Sequence, residues 1–233
     1  MMIGAKMLKI LLLSLLTIVL DLGVASAQTN AKEKSSTKET NVSLDEVIML
    51  QKKISSSKYL AVDFEQERKI KGRPRVSKKS GRATFSRPNS FRWSTTEPKS
   101  IANMWIFNGQ QLFDYQVTTN EAVKYEITGS KAKEIQSIVR MVLDIESLLK
   151  RYTFENAVRT DDLIKIKLLS DGKDSVEYVN LLLDEKNEFI SDLEILFRGG
   201  NQLKTLFSNP DRSDVPVSAF LPPKGVKITE GGI

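Results

Sequence analysis

The sequence predicts a mainly β protein with helices (α+β): an antiparallel sheet curled around its apolar face, with two helices to close the mouth. Three observations predict it. Apolar residues recur with a period of two over most of the chain, turn dipeptides interrupt them at short intervals, and the period reverts to helical in two segments. Roughly ten strands in meander order make a sheet too large to stay flat and open, so it folds round its dry face as a container.

The N-terminus is read as an export signal. Lys6 and Lys9 precede an apolar run from Ile10 to Leu20, and Ala25-Ser26-Ala27 supply a small-residue cleavage site, which places the cut between Ala27 and Gln28. As an uncleaved anchor the run would be short for a span of about 20 residues, and Asp21 and Gly23 end it. Loss of residues 1–27 removes Lys6, Lys9 and Asp21, lowering the net charge from +6 to +5. Residues 28–42 are then expected to be a flexible linker, because residues 28–41 hold one alanine among polar and charged side chains. Residues 43–233 are expected to form one domain.

Ser43 with Glu46 three residues on has the spacing of a capping box, and Leu44, Val47, Ile48, Leu50 and Ile54 form an apolar stripe. This predicts a helix from Leu44 to about Ser56. From Tyr59 to Tyr125 the pattern is that of strands with one dry face: Leu60, Val62 and Phe64 alternate with Ala61, Asp63 and Glu65, and Phe91 and Trp93 with Arg92 and Ser94. Asn108-Gly109 between Trp105-Ile106-Phe107 and Leu112-Phe113 predicts a tight hairpin with both turn residues at positive φ. Residues 130–150 return to the helical period with Ile135, Ile138, Val139, Val142, Ile145, Leu148 and Leu149 on one face. Alternation resumes at Ile164, with further strands near Tyr178–Leu183, Leu193–Phe197 and Leu203–Phe207, separated by turns at Asp171-Gly172, Asp184–Asn187 and Gly199-Gly200-Asn201.

Catalysis finds little support. The chain has no cysteine and no histidine, which removes disulfides, thiol chemistry, a lipid-modified cysteine and the commonest general base and metal ligand. No phosphate-binding loop or nucleophile elbow occurs, and no metal or cofactor is expected. Asp161-Asp162 and Asp171 with Asp174 fall at predicted turns, where aspartate serves local hydrogen bonding.

Two constellations are candidates for function. Phe64, Phe85, Phe91, Trp93, Trp105 and Phe107 lie on neighbouring strands and would converge on the concave face. They form either a filled core or the wall of a hollow one; composition does not separate the two. The basic stretch with Arg68, Lys69, Lys71, Arg73 and Arg75 surrounds a Gly72-Arg73-Pro74 turn. It suits either docking to an anionic partner or lipid surface or a solvated hairpin tip whose charges prevent edge pairing. Nucleic acid is not an expected partner of an exported chain.

Ser86-Arg87-Pro88-Asn89-Ser90-Phe91-Arg92-Trp93, followed by Glu97-Pro98 and the Asn108-Gly109 hairpin, resembles the signature of the LolA family of outer-membrane lipoprotein carriers. Asp63-Phe64-Glu65-Gln66 resembles that family's first-strand element, and Phe220-Leu221-Pro222-Pro223-Lys224-Gly225-Val226 its C-terminal one. The resemblance implies an open, incomplete antiparallel β-barrel closed by a helical lid, in the periplasm. It implies a monomeric carrier that takes acylated lipoproteins from an inner-membrane ABC transporter and passes them to an outer-membrane acceptor. By position it makes Arg87 a latch between sheet and lid, and Phe91 and Trp93 residues that meet acyl chains; Ile138, Met141 and Val142 of the second helix would face the same cavity. The rival expectation is a regulatory protein of the same fold that senses lipids or lipoproteins. Three acyl chains of about fourteen methylenes each, at about 0.8 kcal/mol per methylene, would cost roughly 30 kcal/mol to expose. A carrier thus needs apolar area rather than catalytic groups.

Overall fold

The computed structural model describes residues 39–54, 57–97, 100–127, 148–172 and 175–231. Its centre is one 13-stranded sheet. In chain order the elements are β1 (Thr40–Asn41), helix α1 (Leu44–Ile54), β2 (Tyr59–Lys69), β3 (Val76–Ser86), β4 (Ser90–Glu97), β5 (Ser100–Phe107), β6 (Gln111–Gln116) and β7 (Glu121–Glu126). There follow β8 (Tyr152–Thr160), β9 (Leu163–Ser170), β10 (Val176–Asp184), β11 (Phe189–Phe197), β12 (Gln202–Asp211), a 3-10 turn (Val217–Phe220) and β13 (Lys227–Glu230).

The spatial order is β1-β8-β9-β10-β11-β12-β2-β3-β4-β5-β6-β7-β13. Two meanders, β2 to β7 and β8 to β12, are therefore joined where β12 pairs with β2, with Phe207 opposite Phe64. The sheet is curved but open: β1 and β13 end it, and no pairing joins them, so it is not a closed barrel. It is also not wholly antiparallel as expected, since β13 lies parallel to β7 with Ile228 opposite Ala122. The chain reaches that edge after crossing the outer face rather than through a hairpin.

The expected first helix forms. Glu46 N–H donates to Ser43 Oγ at 3.2 Å, capping one of the unpaired amides of the first turn. The Glu46 carboxylate does not complete a reciprocal box there; it accepts from Arg159 of β8 at 2.6 Å, beside Glu185 at 2.7 Å. At the other end Lys53 pairs with Glu188 at 2.8 Å. Val47 is buried, and Leu50 and Ile54 pack on the half of the sheet formed by β8 to β12. The linker boundary moves earlier than expected: Thr40 and Asn41 pair with Arg159 and Val158, and Val42 is buried, having enough apolar surface to hold the strand end against β8. The helix expected over 130–150 falls mostly outside the described residues; Leu148 and Leu149 are helical and pack on the same half.

The Asn108-Gly109 hairpin occurs with its loop one residue later than expected. Gly109 alone takes positive φ, at 99°. Asn108, just past the end of β5, donates its N–H to Gln111 O, while its Oδ1 accepts from the amides of Gln110 and Gln111. The loop is Gly109-Gln110, with glycine in the first position.

The dry face is continuous. One cluster joins Leu60, Val62, Phe64, Phe85, Phe91, Trp105, Phe107 and Phe207; another joins Val47, Ile164, Ile166, Leu168, Leu181 and Leu203, and Leu193 touches both. Strands β5 and β6 are dry on both faces, which a simple alternation does not predict. Met104, Ile106, Phe113 and Tyr115 on the outer face are covered by Phe220, with Val215, Ala219 and Val226 packed around it. The C-terminal segment thus forms a partial second layer.

Candidate functional site

The six aromatic residues singled out by sequence do share one face. The register places Phe85, Phe91 and Phe107 in one cross-strand row continued by Leu112 and Tyr125, and Ala83, Trp93 and Trp105 in the next. Residues directly opposite each other point to the same side, so strand pairing alone assembles the patch. Phe64 stands over Gly81: a Cβ there would meet Ser94 O at 1.9 Å and the Phe64 ring at 2.9 Å. Glycine leaves the space into which the ring lies flat on the sheet.

Trp93 is the hub. Its ring centroid is 4.3 Å from Phe64, 6.4 Å from Phe85 and 6.4 Å from Phe207, the last two edge-on. Phe91 pairs instead with Phe107 at 5.9 Å. Phe64, Phe85, Phe91, Trp105 and Phe107 are buried, while Trp93 is half-buried. The Trp93 indole Nε1 is buried without a hydrogen-bond partner among the described residues, an uncommon state for a group that normally finds an acceptor. The patch is apolar and largely buried.

Arg87 lies in the turn between β3 and β4. Its Nε donates to Ser57 O at 3.0 Å and its amide to Lys58 O at 2.9 Å, tying that turn to the segment between α1 and β2. A recess of about 10 Å³ beside it is bordered by Ile54, Tyr59, Leu60 and Ile190, room for about one water. Ile138, Met141 and Val142 lie outside the described residues. Arg68, Lys69, Lys71, Arg73 and Arg75 all gather at the tip of the β2–β3 hairpin, where Lys71 N–H donates to Asn201 Oδ1 at 3.0 Å. That bond fixes the tip against the β11–β12 turn.

Sequence reasoning missed a polar group on the aromatic face. Asp114 follows Trp105 in the second row, and its Oδ1 accepts from Asn103 Nδ2 at 2.6 Å and Gln116 Nε2 at 3.1 Å. Burial pushes its pKa above the usual carboxylate value, with the two hydrogen bonds opposing. Tyr125 is raised as well, by burial and then by the Asp114 charge. The signal was parity: Asp114 is two residues from Leu112 and so shares its side.

Among the described residues, no cluster of three or more acidic, cysteine or histidine side chains would hold a metal, and no helix is long and apolar enough to cross a membrane. Among the described residues the arrangement offers an apolar surface with a charged hairpin tip beside it.

Residues 55–222 match the family model of the outer membrane lipoprotein carrier protein LolA. No curated protein matches the chain. Among solved structures, an uncharacterized conserved protein from Thermus thermophilus is similar over 80% of this chain and 99% of its own, with 14% identity and a TM-score of 0.53. A LolA superfamily protein from Nitrosomonas europaea is matched over 77% of this chain and 98% of its own, at 12% identity and a TM-score of 0.41. The MucA/MucB complex of Pseudomonas aeruginosa is matched over 74% of this chain and 57% of that one, at 12% identity and a TM-score of 0.39.

Proposed function

The chain belongs to the LolA family of outer membrane lipoprotein carrier proteins, and from that membership we propose that it is a periplasmic carrier that shelters the acyl chains of lipoproteins between the two membranes. The observation that carries the reading is the aromatic face centred on Trp93. It is broad enough to replace water around hydrocarbon.

Topology supports a lid. Strands β7 and β8 stand near opposite margins of the sheet. On this reading Ile138, Met141 and Val142 of the expected second helix, which lie outside the described residues, belong to the surface that meets the chains. Arg87 holds the empty form shut through the α1–β2 segment. Acyl chains entering between lid and sheet break that bond and gain apolar contact in exchange. Cargo comes from an inner-membrane ABC transporter and leaves to an outer-membrane acceptor, the chain acting as a monomer without catalysis or cofactor. Residues 1–27 direct export and are removed.

The test is to purify the exported chain from cells without detergent and identify bound species by mass spectrometry. Acylated lipoprotein in stoichiometric amount is the expected result. An empty chain that also fails to take up lipoprotein released from membranes overturns the proposal.

A further inference from the structure

The aromatic face has a polar margin, and three neighbouring strands reach it in step. Along β5 the inward residues run Phe107, Trp105, Asn103, and along β6 they run Leu112, Asp114, Gln116; the register sets Trp105 opposite Asp114 and Asn103 opposite Gln116. On β4, Phe91 and Trp93 give way to Thr95, which stands opposite Asn103. At about 3.3 Å per residue, the change from ring to polar group takes one step of the pleat. Phe107 and Leu112 are buried, Asn103 and Asp114 half-buried and Gln116 exposed. The wall thus grades from hydrocarbon to water in one direction.

Asp114 is the acid on this margin. Both hydrogen bonds that it accepts, from Asn103 Nδ2 at 2.6 Å and Gln116 Nε2 at 3.1 Å, end on Oδ1. Among the described residues no lysine or arginine pairs with it. Strand β5 carries no cation, Lys124 of β7 lies on the outer face with Glu126 at 3.3 Å and Glu230 at 2.8 Å, and Lys227 of β13 is held by Glu121 at 2.9 Å. A carboxylate beside buried rings gains more from an incoming cation than a solvated one does. Side chains directly opposite across a strand pair have Cβ atoms about 5 Å apart, so a cation at Asp114 sits beside Trp105. It therefore belongs at the root of an apolar group rather than at the end of a long polar head.

We infer that Asp114 is a binding group for the ammonium of an acylated chain end, an N-terminal residue that carries two acyl chains on its side chain and a free α-amine. This rests on the acyl-chain reading above and deepens it by naming the class of cargo. The chains lie on the rings of β4 and β5, and the ammonium donates to Oδ2 while Asn103 and Gln116 hold Oδ1 in place. A third chain on the amine would convert it to a neutral amide. Cargo with two chains and a charged amine is therefore preferred over cargo with three.

The test uses the purified chain and three synthetic ligands at about pH 6.5, where an α-amine of ordinary pKa, about 7.7–8.0, is protonated. They are a short peptide whose N-terminal cysteine bears a dioctanoylglyceryl thioether and a free amine, the same peptide N-acetylated, and dioctanoyl glycerophosphoethanolamine, whose amine lies beyond a phosphate. Each is kept below its aggregation concentration, and binding is followed by tryptophan fluorescence and calorimetry. The free-amine peptide should bind about tenfold more tightly than the acetylated one, the low end for a hydrogen bond to a charged group, and more tightly than the phospholipid. Asp114→Asn should bring the two peptides to the same affinity. Glu126→Gln, which removes a charge from the outer face, should retain the preference. As a second readout on the native chain, a water-soluble carbodiimide should join the peptide amine to the Asp114 carboxyl as an amide, located by mass spectrometry. Equal binding of the two peptides by the native chain, a preference surviving in Asp114→Asn, its loss in Glu126→Gln, or coupling only at other carboxyls overturns the site. Phospholipid binding as tight as that of the free-amine peptide overturns the assignment to an acylated chain end. Failure to bind any of the three removes the acyl-chain reading as well, so the two failures are distinguishable.

Discussion

The Phe64 ring lies against that of Trp93 at 4.3 Å and 34°, and the same Phe64 ring occupies the space above Gly81 where any side chain would begin. Three adjacent strands are thereby locked by one aromatic contact. A Cβ at position 81 would also meet Ser94 O of β4 at 1.9 Å, a backbone atom that cannot turn aside. Gly81→Ala should therefore lower stability by about 3 kcal/mol through overpacking and shift Trp93 emission as Phe64 is displaced. Denaturant titration with fluorescence checks both; a variant of native stability would show that β3 and β4 separate easily at this point.

Gln66 and Thr205 form a buried side-chain pair between β2 and β12, where the two meanders join. Thr205→Val leaves the Gln66 amide without its partner and should cost about 1–3 kcal/mol, whereas the double change Gln66→Leu with Thr205→Val should recover much of the loss. Urea melts of the single and double variants measure the coupling. Additive losses would mean that the bond does not join the halves.

Much of this was legible from local pattern and some was not. Alternation in Leu60, Val62 and Phe64 and in Phe91 and Trp93 fixes which side is dry, and the meander brings those sides together; Ser43 marks the helix start because its cap needs only nearby atoms. The covering of Ile106 and Phe113 by Phe220, the parallel pairing of β13 with β7 and the Arg159–Glu46 bridge join residues far apart in sequence. No window of local periodicity contains both partners, so β5 and β6 read as half-exposed strands. Asp114 was hidden for a related reason: one polar residue in an apolar row suggests a turn or an outer face until its register is known.

Asp114 makes a prediction about pH. Burial holds its carboxyl above the usual range in the folded chain, so the native state keeps this proton to higher pH than the unfolded state, whose aspartates titrate near about 4. Its contribution to stability is therefore greatest below that value and declines as pH rises through the folded pKa. Asp63, Glu67 and Asp211 have lowered pKa values and work in the opposite sense, so the whole-protein curve mixes the two. The difference between Asp114→Asn and the native chain isolates the effect: the variant should gain relative stability from about pH 4 toward neutrality, with Asn103 and Gln116 still able to donate to the amide oxygen. Parallel melting curves across that range would mean that Asp114 is solvated in the native state.

Arg87 gives the most direct test of how a carrier would let go. Its Nε–H donates to Ser57 O at 3.0 Å, tying the β3–β4 turn to the segment that leaves α1. Arg87→Leu removes that bond and keeps the backbone one from the Arg87 amide to Lys58 O, so the turn should still form. If acyl chains enter only when the closed form yields, net affinity is the gain from burying them minus the stability of the closed state. A hydrogen bond to a charged group contributes about 1.5–3 kcal/mol, so its loss should tighten apparent affinity by roughly tenfold to a hundredfold. The same change makes release uphill, because an empty carrier no longer regains the bond when cargo leaves. Loaded Arg87→Leu should therefore stall in transfer to acceptor membranes while binding at least as well as the native chain. Trp93 and Trp105 fluorescence can follow occupancy through the transfer, and a variant that binds and releases at native rates would show that the Arg87–Ser57 bond is incidental to closure.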